Sequence, residues 1–305
     1  MNCPVCSAQS TVIGEAVDFV SSKLVGISWC PHCDLKFAPI ERTREIYDEL
    51  YSSGKLGYHH DKTKDNLSLR KLINKDVSFT AVYDNLPDSK HLDILDVGCS
   101  YGYLTNALRK LGHNAKGIDV SAQAIDYSRK IYGDFFETKE VESVKGSFDM
   151  IIAIELIEHL TDPLKFVKKC AELLKPGGKL IITTPNKDFY SRKTVWMTNP
   201  PPVHNYWFGG RTMEVMAKSA GLKMELLPHH KYLMRYDNQN LLVNWIRYRN
   251  QKQGIFSLKP STAKRGFIKT VLRSIVLSKP VKGVSNFLFS LRPVTRTLAV
   301  MMTKT

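Results

Sequence analysis

No apolar run in this sequence of 305 residues approaches the ~20 residues that a helix needs to cross a bilayer, so no helical membrane span is expected. The opening residues, Met1-Asn-Cys-Pro-Val-Cys6, lack the basic and apolar regions of a secretory signal, and a cytoplasmic protein is the expectation. Acid is nearly missing from the last quarter. From Lys231 onward fifteen basic residues face one acid, Asp237, so this tail carries +14 of the formal +15. The preceding 230 residues are nearly balanced, and a pI near 9.5 describes one segment rather than the whole surface. A charge run does not name a partner by itself, and a solvated tail accounts for it equally well.

What the sequence does have, at its start, is paired cysteine. Cys3-Pro-Val-Cys6 and Cys30-Pro-His-Cys33 are two C-x-x-C turns separated by enough chain for a short antiparallel ribbon over 10–19 and 25–29. In a reducing compartment such pairs favour metal over disulfides. Each turn aims two thiolates at one point, and two turns complete a closed tetrahedral Cys₄ site. A closed site is structural, and the metal would supply much of the folding energy of so small a module. A redox dithiol and chance spacing are the weaker readings. The glycine usual after each knuckle is replaced by Ser7 and Asp34, and His32 reads as a spacer.

Residues 41–58 form a helical stretch of mixed charge carrying Tyr47, Tyr51 and Tyr58, followed by His59 and His60. Tyrosines four apart share a helix face, which suits packing on the next domain or a lid over a site. An amphipathic helix is expected over 65–86, stopped by Pro87. From residue 91 strands and helices alternate: strands over 91–97, 114–119, 134–138, 148–154, 179–184 and 222–228, helices over 103–111, 121–132, 163–174 and 211–220. This alternation predicts an α/β fold with a doubly wound, mostly parallel sheet, whose ligands bind beyond the carboxyl ends of the strands. The tail, 236–305, reads as a basic helical extension with three amphipathic segments and a closing strand over 297–303. Such helices pack on a sheet or lie on an anionic membrane surface, the latter through 264–292.

The chemistry centres on 94–104, Ile-Leu-Asp-Val-Gly-Cys-Ser-Tyr-Gly-Tyr-Leu, where a buried strand delivers a glycine turn onto a helix start. A dinucleotide fingerprint would need glycines at 100 and 103, which are Ser100 and Tyr103. The same residues spell G-x-S-x-G, the hydrolase nucleophile elbow, with Ser100 as nucleophile. However, no His-Gly-Gly segment precedes it and Asp96 goes unexplained. A third reading uses more residues: Asp96 ends the first strand, and Asp119 ends the second about 20 residues on, where a carboxylate accepts ribose hydroxyls.

These residues carry a resemblance. Leu95-Asp-Val-Gly-Cys-Ser-Tyr-Gly-Tyr, Gly117-Ile-Asp-Val-Ser, Phe148-Asp-Met-Ile, Glu155-Leu-Ile-Glu-His-Leu-Thr-Asp-Pro and Leu174-Lys-Pro-Gly-Gly-Lys-Leu resemble, in order and spacing, the class I S-adenosylmethionine-dependent methyltransferases over roughly 90–230. The resemblance implies a Rossmann-like sheet and S-adenosyl-L-methionine as methyl donor. It implies that Asp96, Gly98, Cys99, Tyr101 and Gly102 form the loop around the cofactor's methionine part. Asp119 would bind ribose, Val120 would lie beside adenine, and Glu155 would line the amino-acid end. Ser100 departs from the family's commonest glycine, and 134–140 matches too poorly to assign an adenine contact. The paired cysteines, the Asp34-Leu-Lys-Phe-Ala-Pro run and Pro202-Val-His-Asn-Tyr-Trp-Phe resemble bacterial zinc-ribbon methyltransferases of polysaccharide, sugar and secondary-metabolite synthesis. That implies zinc at Cys3, Cys6, Cys30 and Cys33, and four parts: a ribbon (1–40), a helical linker or lid (41–89), the methyltransferase domain (90–235) and the extension (236–305).

Methyl transfer from a sulfonium is an in-line displacement, for which the protein supplies alignment and, for an alcohol acceptor, a base. His159 and His204 both follow strands at the catalytic edge, and a neutral imidazole suits the task. Each also has a purely packing role open to it, and His59 is a further candidate. The expected function is methylation of a small-molecule or glycan acceptor, foremost a sugar hydroxyl, in the cytoplasm or peripherally at the inner face of the membrane. An RNA methyltransferase holding phosphates with ribbon and tail is the alternative. It is disfavoured because the ribbon has few basic residues and the tail's bases alternate with apolar ones. A non-catalytic binding protein is disfavoured by the intact Asp96, Gly98, Gly102 and Asp119.

Overall fold

A computed structural model of the chain describes residues 1–18, 20–38, 60–87, 91–190, 193–195, 198–228 and 295–305. The tyrosine stretch 41–58, His59 and the amphipathic segments of 236–294 lie outside the described residues, as does the 264–292 membrane contact.

The N-terminal module is a ribbon of β1 (Thr11–Val17) and β2 (Leu24–Trp29), paired antiparallel, with a two-residue β3 (Lys36–Phe37) beside β2. Each cysteine knuckle closes through a backbone bond, Ser7 N–H to Cys3 O and Asp34 N–H to Cys30 O, both 2.9 Å. Ser7 and Asp34 adopt φ of 60° and 63° at the positions where glycine is usual.

The expected single helix over 65–86 is instead two short ones, α1 (Leu69–Ile73) and α2 (Thr80–Tyr83), with a 3₁₀ turn between. The break comes at Asp76, whose carboxylate accepts the Ser78 N–H at 3.1 Å, a local turn that competes with the helix. Leu69, Leu72, Ala81 and Val82 are buried in the same core as Ile94, Leu104 and Met150, so this part packs directly on the sheet.

From there the chain alternates β4 (Asp93–Val97), α3 (Tyr103–Lys110), β5 (Asn114–Asp119), α4 (Ala122–Tyr132), β6 (Phe136–Thr138), β7 (Phe148–Ile154), α5 (Pro163–Leu173) and β8 (Leu174–Pro185). It continues with β9 (Tyr206–Trp207), α6 (Gly210–Ser219), β10 (Leu222–Leu226) and β11 (Thr297–Lys304). Seven strands form one sheet in the order β10-β11-β8-β7-β4-β5-β6, parallel from β8 through β6, with β11 antiparallel to both its neighbours. Alternation along a strand explains the two layers of helix. Ile94, Ile152 and Ile181 face α1 to α3, while Leu95, Val97, Ile151 and Ile182 face α5 and α6. Helix starts are capped as the sequence dictates: Ser121 accepts from Ala124 N–H, and Asp162 accepts from Lys165 N–H ahead of Pro163 at the first helical position.

The ribbon is joined to this domain. β9 pairs with β3 to make a four-stranded sheet, β1-β2-β3-β9. Cys3, Cys30, Cys33, Leu35 and Phe37 belong to the same buried cluster as Leu95, Phe166 and Phe208.

Candidate functional site

The turn after β4 is built for close approach. Gly98 and Cys99 both donate their N–H to Ile118 O, at 2.9 and 3.0 Å, which ties the turn to β5. Gly98, Ser100 and Gly102 all have positive φ (72°, 50° and 72°), so the chain curls and leaves backbone exposed to a ligand. At Gly102 a Cβ would lie 2.5 Å from the Phe136 ring, and only glycine fits.

Around this turn lies a cavity of about 800 Å³, bordered by Gly98, Ser100, Tyr101, Asp119, Val120, Glu155, Leu156 and His159, a size in the range of small-molecule sites. Thr138, at the end of β6, and Lys139, Glu140 and Val141 just beyond it also line the cavity. They occupy the region where sequence comparison assigned nothing. Three of the expected residues stand behind the wall rather than in it. Asp96 is buried beneath the turn, Cys99 packs against Ile125 and Phe136, and Gly102 abuts Phe136. For Asp96 the strand's two-residue period sets which side chain points inward, which a motif does not reveal.

Three carboxyls converge here, and burial pushes each upward. Asp96 reaches about 7, despite the Thr105 hydroxyl donating to it at 2.7 Å, with the Asp119 charge adding to the rise. Asp119 is also raised by burial, against bonds from Ser121 N–H (2.9 Å) and Ser100 N–H (2.8 Å). Glu155 reaches about 7 through burial, against its bond to Thr183. Glu155 has φ 50° and a buried Oε1 with no hydrogen-bond partner among the described residues. A positive φ outside glycine and a buried, unpaired acceptor are features that folds retain at functional positions. Of these, Asp119 and Glu155 border the cavity and Asp96 lies beneath it, and a cation bound there would favour their charged forms.

Beyond Glu155 stands a second group. His159, on the 3₁₀ turn Ile157–His159, contacts Val203 O through Nδ1 at 2.7 Å. A carbonyl only accepts, so Nδ1 carries a proton, and in the neutral ring the lone pair is on Nε2. Glu158 is buried, accepts the Thr184 hydroxyl at 2.8 Å with one oxygen, and holds the other 3.9 Å from His159 Nε2. The His204 ring meets that of His159 edge-on at 4.7 Å, but His204 lies in the interior, contacting Thr198 Oγ1 (2.8 Å), and does not border the cavity. Donor atoms of Glu158, His159 and His204 lie within 4.8 Å of one another, the kind of set that relays protons or holds a cation.

One cluster had no local signal. Asp65 accepts from Tyr127 Oη (2.7 Å) and Tyr132 Oη (2.8 Å), and His60 Nε2 lies 3.0 Å away. The His60 ring sits 3.9 Å from that of Tyr127 and 5.2 Å from that of Tyr101, at the edge of the glycine turn.

In the ribbon the sulfurs of Cys3 and Cys33, and of Cys6 and Cys30, are 3.4 Å apart, and all four lie within 4.8 Å. Tetrahedral zinc with bonds near 2.3 Å spaces its sulfurs by roughly 3.8 Å, so the four fit. So close together the thiols disagree: hydrogen bonding from Cys33 pulls Cys3 down to about 5, while its contact with Cys3 and its own burial push Cys33 far up. A divalent cation would reconcile them.

A family model described as a methyltransferase domain matches residues 68–227. Ubiquinone biosynthesis O-methyltransferase of Coxiella burnetii (strain RSA 331 / Henzerling II) is 33% identical over 148 residues, 43% of this chain and 63% of that protein. The protein of the same name from Xanthomonas campestris pv. campestris (strain B100) is 36% identical over 103 residues, 31% of this chain and 43% of that one. This chain thus spans under two thirds of the length of either relative. Among solved structures, magnesium protoporphyrin IX methyltransferase from Synechocystis PCC 6803 with bound S-adenosylmethionine aligns at TM-score 0.44 and 15% identity, over 61% of this chain and 89% of that one. With more than half of its length matched by the family model, this chain belongs to the methyltransferase-domain family.

Proposed function

We propose that this protein methylates a hydroxyl of a small-molecule acceptor. The observation that carries the reading is the convergence of the glycine turn, Asp119, Glu155 and His159 on one cavity. S-adenosylmethionine, when bound, supplies a methyl group on a positively charged sulfur, primed for in-line displacement. Asp119 holds the ribose hydroxyls. Glu155, with the buried Asp96 behind the turn, would favour the ammonium of the amino-acid end, and Tyr101 would close the turn over it. Val120 and 138–141 enclose the far end. His159, whose neutral form with Nδ1–H bonded to Val203 O has its lone pair on Nε2, would take the acceptor's proton. His204 supports that ring from behind. Cys3, Cys6, Cys30 and Cys33 hold a structural zinc ion.

For the acceptor, a sugar hydroxyl rests on the ribbon's resemblance to glycan and secondary-metabolite enzymes. The relatives named as O-methyltransferases of ubiquinone biosynthesis support an oxygen of a small molecule as the acceptor. Both are O-methylations, which is the core of the proposal. Four parts (1–40, 41–89, 90–235 and 236–305) and a cytoplasmic setting, with 264–292 touching anionic membrane, complete it. Among the described residues no helix is long and apolar enough to cross a membrane.

The test is methyl transfer from labelled donor to a panel of nucleotide sugars, glycosides, catechols and a structured RNA. Transfer to a sugar or phenol, with His159→Ala slowing turnover about 10²–10⁴-fold at unchanged donor affinity, is expected. Transfer to RNA alone, or full turnover by His159→Ala, would overturn it.

A further inference from the structure

The ribbon does more than sit beside the catalytic domain. β9, which lies immediately beyond His204 and Asn205, pairs with the ribbon rather than with the seven-stranded sheet: Lys36 is opposite Trp207 and Phe37 opposite Tyr206. One residue on, Ala38 N–H donates to Asn205 O at 2.8 Å. The other edge of the same segment is tied to the loop that carries His159. Asn205 N–H donates to Glu158 O at 3.2 Å, Tyr206 Oη donates to Thr161 O at 2.7 Å, and Val203 O receives His159 Nδ1–H at 2.7 Å. Residues 203–207 are therefore strung between the ribbon and the candidate base.

The ribbon end of this link starts at a cysteine knuckle. β3 begins three residues after Cys33, and Thr212 Oγ1 donates to the Cys33 carbonyl at 2.9 Å. Lys187, itself buried, bridges Asp34 and Asp188. Lys36 is buried as well and donates to Thr194 O. Trp29 Nε1–H donates to the same Asp34 at 2.6 Å. A two-residue strand pair is too short to hold its own register. Here it is held because Cys30–Asp34 is fixed by the sulfur cluster on one side and by Thr212 and Lys187 on the other.

We propose that the metal-organised knuckle of the ribbon positions the His159 imidazole, acting through β3, β9 and the Val203 carbonyl. This rests on the reading of His159 as base, because the orientation matters through the tautomer. The Val203 carbonyl keeps the proton on Nδ1 and the lone pair on Nε2. If β3 loosens, that carbonyl drifts and the ring populates the opposite tautomer, which cannot accept a proton at Nε2. The glycine turn is tied instead to Ile118 and Asp119 of β5, so donor binding is spared. Ala38, Thr212 and the Cys33 knuckle are thus positioning residues, and none of them borders the cavity.

The experiment uses the full chain with nitrogen-labelled histidine in three states: zinc-loaded, chelator-stripped and zinc-restored. Ala38→Pro, which removes the donor to Asn205, and the near-isosteric Thr212→Val are studied in parallel. Three quantities are read: the His159 tautomer by nitrogen NMR, donor affinity by calorimetry, and kcat. Expected are a shift of the His159 proton from Nδ1 towards Nε2 and at least a tenfold loss of kcat on stripping and in Ala38→Pro. Thr212→Val should show a smaller loss, donor affinity should stay within threefold, and zinc should restore the stripped protein. An unchanged tautomer in both the stripped protein and Ala38→Pro overturns the proposal. So does loss of donor affinity in step with kcat, since the ribbon would then serve only the fold. The underlying reading fails separately: full turnover by His159→Ala removes the base while the tautomer shift still reports the coupling.

Discussion

Asp96 is the clearest place to set function against stability. It is fully enclosed, its one strong donor is the Thr105 hydroxyl, and it sits at about 7 rather than 3.8 because burial and Asp119 disfavour its charge. The sign follows from proton counts. Between roughly pH 4 and pH 7 the folded ligand-free protein keeps a proton that the unfolded chain has lost, so rising pH drains stability until about 7 and no further. A displacement of about three units corresponds to at most about 4 kcal/mol at pH 8, against roughly 2 kcal/mol at pH 5. Asp96→Asn keeps an acceptor for Thr105 and removes the charge. Without ligand it should melt above wild type, with an advantage that grows by about 2–3 kcal/mol from pH 5 to pH 8, or roughly 5 °C at about 2 °C per kcal/mol. The same variant should bind S-adenosylmethionine about tenfold more weakly, the worth of one buried charge acting through the turn at a few ångströms. Melting curves at pH 5, 6.5 and 8 check this. An Asp96→Asn protein that is no more stable at pH 8, or whose advantage ignores pH, would refute the picture of a carboxylate kept at a cost for its ligand.

Other outcomes follow from particular contacts. Gly102→Ala places a methyl 2.5 Å from Phe136 at φ 72° and should cost about 2–4 kcal/mol by left-handed strain and overpacking, read as a fall in melting temperature. Metal analysis should find one zinc per chain, lost in Cys30→Ser along with several degrees of melting temperature; a folded, metal-free wild type would remove the Cys₄ assignment. Burial raises Asp65, but bonds from His60, Tyr127 and Tyr132 bring it below its ordinary value. Its contribution is therefore present above about pH 4 and lost as pH falls through the lower folded value. The stability gap between wild type and Asp65→Asn should accordingly close below pH 4 in urea titrations.

Much of this was legible from sequence because it is local. The strand–turn–helix of 94–104 and each C-x-x-C turn occupy a few consecutive residues, the Asp119 spacing spans one strand–helix–strand unit, and the alternation of strands with helices pointed to the parallel sheet. What was hidden is long-range. Tyr206–Trp207 is too short to show a period, so nothing marked it as a strand, still less as a partner of Lys36–Phe37. The broken helix at Asp76 reflects a side-chain turn beating helical periodicity. The Asp65 cluster joins residues more than 60 apart. The difference between His159, on the cavity, and His204, behind it, arises from packing that spacing does not encode.

The account stands on the cavity at the end of β4 and β5 holding S-adenosylmethionine. Titration calorimetry of the full-length protein with this ligand measures that directly. The predicted result is saturable binding at one site per chain, weakened by at least about thirtyfold in Asp119→Ala, whose carboxylate otherwise ties Ser100 and Ser121 and faces the ligand. Folded protein that takes up no S-adenosylmethionine, or an Asp119→Ala variant that binds it as wild type does, would contradict it.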